Sequence, residues 1–80
     1  FKFDIYPNPN NGSFELLLNQ NLENIHVEIR DLLGKIIYSE FIYQYDINTK
    51  HLIDINQSSG TYILSVNSDN YKNEKLIVID

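Results

Sequence analysis

Cysteine is absent from this chain of 80 residues, which excludes disulfides, thiolate metal sites and thiol nucleophiles together and leaves the compartment open. Basic residues are scarce: six Lys and Arg, scattered, stand against eleven Asp and Glu, for a formal net charge of −5 and a pI near 4.7. Nucleic-acid binders need clustered cations to release counterions from phosphates, so no nucleic-acid partner is expected. Apolar runs are short. Leu16 to Leu18 and Leu76 to Ile79 fall far below the roughly 20 residues of a membrane helix. No secretory leader pattern is visible; the first residue is Phe1 rather than Met, so the segment is expected to be cut from a longer protein. Catalytic signatures are missing too. His26 and His51 have no metal-ligand spacing, and no serine sits in a nucleophile elbow. The expectation is a protein that is not an enzyme, with no cofactor, no metal and no small-molecule substrate.

What is present is periodicity. Hydrophobic residues make up 42% of the chain, and they recur at every second position rather than at helical spacing. Phe14, Leu16 and Leu18 alternate with Ser13, Glu15 and Leu17; Ile25, Val27 and Ile29 alternate with His26, Glu28 and Arg30. Each reads as a strand with one buried face. Further strands are expected over 3–6, 35–41, 51–55, 61–66 and 75–79, seven in all, with breaks over 7–12, 19–24, 32–34, 56–60 and 67–73. The stretch 41–49 reads either as a loop or as a strand extension. Short strands with turn signals about every ten residues, and no helical crossovers, predict one all-β domain over 1–80. The expected architecture is a small antiparallel two-sheet β-sandwich, immunoglobulin-like.

Four motifs punctuate this pattern. In Tyr6-Pro7-Asn8-Pro9-Asn10-Asn11-Gly12-Ser13-Phe14, Pro7 and Pro9 fix φ and remove backbone donors, and Asn11-Gly12 supplies left-handed conformations for a rigid turn. Side-chain amides abound there, but Asp4 is the only carboxylate before Glu15, too few for a calcium site. In Asp31-Leu32-Leu33-Gly34-Lys35, Asp31 can accept a backbone hydrogen bond two residues on, and Gly34 closes a hairpin of type I turn plus bulge. In Ser58-Ser59-Gly60-Thr61-Tyr62, Gly60 lets the chain swing into a strand, and Tyr62 brings apolar area plus a hydroxyl able to tie a neighbouring turn. The run Lys75, Leu76, Ile77, Val78, Ile79, Asp80 reads as a closing strand, buried on both faces or awaiting a further partner. Strand addition or capture of the terminus could use such a segment as an address.

Taken in order over about 75 residues, the four motifs resemble the type A C-terminal sorting domain of the type IX secretion system. The resemblance implies a β-sandwich that follows an N-terminal cargo domain and is read by outer-membrane secretion machinery. A sortase then usually removes it, and the cargo is secreted or held at the cell surface after passing the periplasm and outer membrane. By motif position, Gly60, Tyr62, Lys75, Leu76, Ile77 and Val78 are the expected recognition residues; Pro7, Pro9, Gly12, Asp31 and Gly34 are the structural ones. The family often carries two basic residues before the final apolar run, whereas here Glu74 precedes Lys75 and the chain ends in Asp80. The residues themselves also admit an adhesive or carbohydrate-binding module built on Tyr38, Tyr43, Tyr45 and Tyr71. Edge strands leave the oligomeric state open.

Overall fold

The structure, a computed structural model, describes residues 1–69 and 71–80. Alternation of apolar and polar residues produces seven strands among them: β1 (Phe3–Tyr6), β2 (Ser13–Leu18), β3 (Leu22–Arg30), β4 (Ile36–Tyr45), β5 (His51–Asp54), β6 (Gly60–Ser68) and β7 (Tyr71–Ile79). They form two antiparallel sheets, a three-stranded one in the order β1-β2-β5 and a four-stranded one in the order β4-β3-β6-β7. Between them lies one core to which Phe14, Leu16, Ile25, Val27, Ile29, Leu64, Val66 and Ile77 contribute fully buried side chains. The expected inward sets of β2 and β3, and Tyr62, Leu64 and Val66 on one face of β6, all point into it.

Four elements run longer than the periodicity alone suggested. β3 begins at Leu22, and its ladder keeps register across Asn24, whose left-handed φ of 53° Asn tolerates better than most residues. That extension gives 41–45 a partner: Leu22 pairs with Tyr45 and Ile25 with Ile42, so the ambiguous stretch is strand up to Tyr45. β6 and β7 likewise extend toward each other until Ser68 pairs with Tyr71. Of the break expected over 67–73, Asn70 lies outside the described residues.

Register assigns each connection to one of two poles. Tyr6 pairs with Glu15 and Ser13 with Asp54 in one sheet; in the other, Arg30 pairs with Ile36 and Gly60 with Ile79. An Ile55 N–H donating to the Gly12 carbonyl (2.8 Å) and a parallel bridge between Asn10 and Ile79 place these ends together. All four sequence motifs therefore reach the same pole. Phe1 lies toward the opposite one, where its carbonyl accepts a hydrogen bond from Asn73, along a molecule 32 Å in its longest dimension.

The lateral edges are closed differently. Where β4 faces β5, Glu40 accepts hydrogen bonds from Tyr38 Oη (2.5 Å) and His51 Nε2 (2.9 Å), so a carboxylate from one sheet holds an imidazole from the other. His51 is half-buried in this contact. Burial, and next to it the hydrogen bond to Glu40, pushes the Tyr38 hydroxyl pKa well above its ordinary value. Nearby, the buried Tyr45 hydroxyl accepts the Leu18 N–H (3.1 Å) and donates to the Thr49 carbonyl.

Candidate recognition surface at the terminal strand

β7 is an edge strand, and its side chains alternate. Ile77 and Ile79 enter the core, while Leu76 and Val78 stand on the solvent face, 58% and 37% exposed. Of the two readings of this run, burial on both faces does not hold: four consecutive β-formers make one core face and one exposed apolar face, because only β6 pairs with them as a full strand. Lys75 lies at the lateral edge, with its ammonium 5.6 Å from the centre of the Phe3 ring and 3.4 Å from Asp4 Oδ1. Glu74 accepts from Ser65 Oγ (2.7 Å) with the Lys72 ammonium at 3.5 Å. These contacts, the Ser65 hydroxyl foremost, hold its carboxyl below the usual range.

The outer edge of β7 has an occupant at its far end. Asn8 places its side-chain amide against the strand: Oδ1 accepts the Val78 N–H (3.0 Å) and Nδ2 donates to the Leu76 carbonyl (3.2 Å). Asn10 continues with its backbone, donating N–H to the Val78 carbonyl (3.0 Å) and accepting the Asp80 N–H (2.8 Å). Asn10 is itself buried and pinned, since Nδ2 donates to the Pro7 carbonyl and Oδ1 accepts the Gly12 N–H. Pro7 and Pro9 have no N–H to offer a ladder, so the two asparagines carry all the pairing. Both X-Pro bonds here, Tyr6-Pro7 and Asn8-Pro9, are cis. Nearer Phe1, a cleft of about 210 Å³ opens between β1 and β7, lined by Lys2, Phe3, Asp4, Asn73, Glu74 and Lys75.

The remaining motif residues support this surface from behind. Gly60 pairs with Ile79 and Tyr62 with Ile77, and the Tyr62 hydroxyl donates to the Ser58 carbonyl (2.6 Å), anchoring the loop that leads into β6. Gly12 has a φ of 106°, and a Cβ there would collide with the Ile55 carbonyl; only glycine fits. Asp31 and Gly34 share the pole but sit two strands away. Asp31 Oδ1 accepts the N–H groups of Leu33 (3.0 Å) and Lys35 (2.9 Å), the Gly34 N–H reaches the Asp31 carbonyl (3.0 Å), and Gly34 has a φ of 91°. This hairpin leaves Leu33 at its tip 96% exposed.

The structure thus brings Pro7, Pro9, Gly12, Gly60, Tyr62 and Lys75 to Val78 into one neighbourhood, with Asp31 and Gly34 beside it. Reading the sequence missed Asn8 and Asn10 as partners of β7. The available signal was their placement: between and after prolines, they are the only residues of 7–10 able to donate to a strand edge. Of the four tyrosines of the adhesive reading, Tyr45 is buried and Tyr38 is engaged by Glu40, leaving Tyr43 and Tyr71 exposed. Tyr43 meets Phe41 edge to face, with ring planes at 71°, rather than forming a flat stacking platform. Among the described residues, no three His, Cys, Asp or Glu side chains gather as a metal site.

No curated protein matches the chain. The model of a family described as a secretion system C-terminal sorting domain matches residues 4–80, from β1 through the last residue of the edge that Asn8 and Asn10 occupy. With the match covering nearly its whole length, the chain belongs to the C-terminal sorting domains of the type IX secretion system.

Proposed function

We propose that the exposed face and outer edge of β7 are what the outer-membrane secretion machinery reads, and that Lys75, Leu76 and Val78 supply the contact while Gly60, Tyr62 and Ile77 hold the strand in place. Family membership gives the coarser statement, a type IX sorting signal that sends its cargo across the outer membrane. The observation that carries the finer one is the alternation in β7: a strand at the sheet edge with Leu76 and Val78 in solvent offers both backbone groups and apolar side chains to a receptor. Location supports it. A cargo domain preceding Phe1 departs toward the far pole, so its bulk stays clear of residues 76–80. A sortase then removes the domain and joins the cargo to the cell surface. This role requires no catalysis from the domain itself.

A reporter bearing an export signal and ending in this domain tests the proposal, in cells with and without a working type IX system. Surface or medium delivery that requires the system and is lost on deleting residues 75–80 supports it. Delivery that survives that deletion places recognition elsewhere on the domain.

A further inference from the structure

We infer that residues 7–10 form a detachable cap on β7, and that the ligand admitted when it lifts is an extended polypeptide strand. The inference rests on the reading of β7 as the recognised strand and adds how access to it is controlled. In an antiparallel ladder, backbone groups point alternately toward each neighbour. Because Val78 and Asp80 turn their N–H groups to Asn8 and Asn10, Lys72, Glu74 and Leu76 direct theirs outward as well. The cap meets only the terminal part, from the Leu76 carbonyl to the Asp80 N–H; among the described residues no hydrogen bond reaches the outward backbone groups of Lys72 and Glu74. The edge is therefore half covered, and the uncovered half borders the cleft between β1 and β7.

The cap shows what fits this edge, because its own occupant at Ile79 is backbone, with the Asn10 peptide groups bridging in parallel register. It also cannot pass the ladder on. Pro9 lacks the N–H a further strand would need, so while the cap is seated the sheet ends there, which is how edge strands are kept from pairing with other chains. Its hold is light. The two Asn8 contacts lie in solvent, where single hydrogen bonds add little net stability, and an entering strand would replace each of them with a backbone pair. A strand starting at the free Lys72 and Glu74 groups can advance toward Asp80 and displace the cap as it pairs.

Amide exchange on the full chain, comparing wild type with Asn8→Ala, tests the cap without any secretion machinery, so its failure is separable from failure of the sorting proposal. Asn8 is exposed, and the variant is expected to fold. The Val78 amide loses its acceptor directly; the informative amide is that of Asp80, bonded to the Asn10 backbone and untouched by the substitution. A cap that lifts as a unit raises Asp80 exchange tenfold or more along with Val78, while the Ile77 amide keeps wild-type protection. Unchanged Asp80 exchange overturns the cap as a unit, and loss of protection throughout β6 and β7 overturns it as a detachable element. The ligand assignment is read by sedimentation, with a second copy of the chain as the strand donor. Asn8→Ala is expected to form a concentration-dependent dimer where wild type stays monomeric, and a variant that opens yet remains monomeric overturns it.

Discussion

Asn8 meets Val78 as a peptide group would: its side-chain carbonyl accepts the strand N–H at 3.0 Å, and its amide nitrogen returns a bond to the Leu76 carbonyl at 3.2 Å. A residue near the start of the chain thus completes the edge of the last strand, and the prolines on either side of it stop that edge from growing.

Core and surface positions of β7 should part cleanly. Ile77→Ala empties a fully buried site and is expected to cost about 2–5 kcal/mol. Leu76→Ser and Val78→Thr change solvent-facing positions and should stay within roughly 1 kcal/mol of wild type in urea unfolding. Reporter delivery should nonetheless fall in the Leu76→Ser, Val78→Thr double variant. Full delivery by a folded double variant would remove the exposed face from the recognition surface.

Gly12→Ala should destabilise the domain by about 2–4 kcal/mol, combining a left-handed backbone with a collision against the Ile55 carbonyl. Gly34→Ala, at an equally left-handed position with open space around it, should cost less, about 1 kcal/mol. Urea midpoints of the two variants check the order.

Two tyrosine hydroxyls can be ranked in the same way. Tyr45→Phe removes the acceptor of the buried Leu18 N–H, and leaving that group unpaired should cost about 1–3 kcal/mol. Tyr62→Phe releases only the Ser58 carbonyl, in a partly buried site, for about 1 kcal/mol. Equal losses in thermal unfolding would contradict the difference in burial.

Acid should weaken the β4 to β5 side. Burial works to raise the Glu40 carboxyl, but hydrogen bonds from Tyr38 and His51 and the charge of His51 outweigh it and hold it below the usual range. A folded-state value below the unfolded one, about 4.3 for Glu, means this contribution is present above that unfolded value and is lost as pH falls through the folded one. Glu40→Gln should flatten that part of the stability profile when midpoints are followed from about pH 6 to pH 3. An unchanged acid limb would assign the loss to other carboxylates.

Much of the fold was legible because the signal is local. Alternation in β2 and β3 reports burial directly, and Asp31, Gly34 and Gly12 advertise their turns through chemistry confined to a few neighbours. Contacts that close the sandwich were not legible. Glu40 and His51 lie eleven residues apart in different sheets, and Asn8 lies seventy from Val78; no periodicity links such pairs, and only the sheet order brings them together. The length of β4 was hidden for a related reason, since 41–45 become a strand only once β3 starts early enough to meet them.

The edge contact also gives the domain a means of checking its own completeness. Asn10 is buried with its backbone committed to Val78 and Asp80, so a chain truncated a few residues early leaves it facing unmet backbone groups and strips Asn8 of its partner. Under the proposed reading of β7, loss of residues 76–80 therefore removes the recognised strand and the fastening at the same stroke. On that reading, the strand a receptor would read and the contact that secures it stand or fall together.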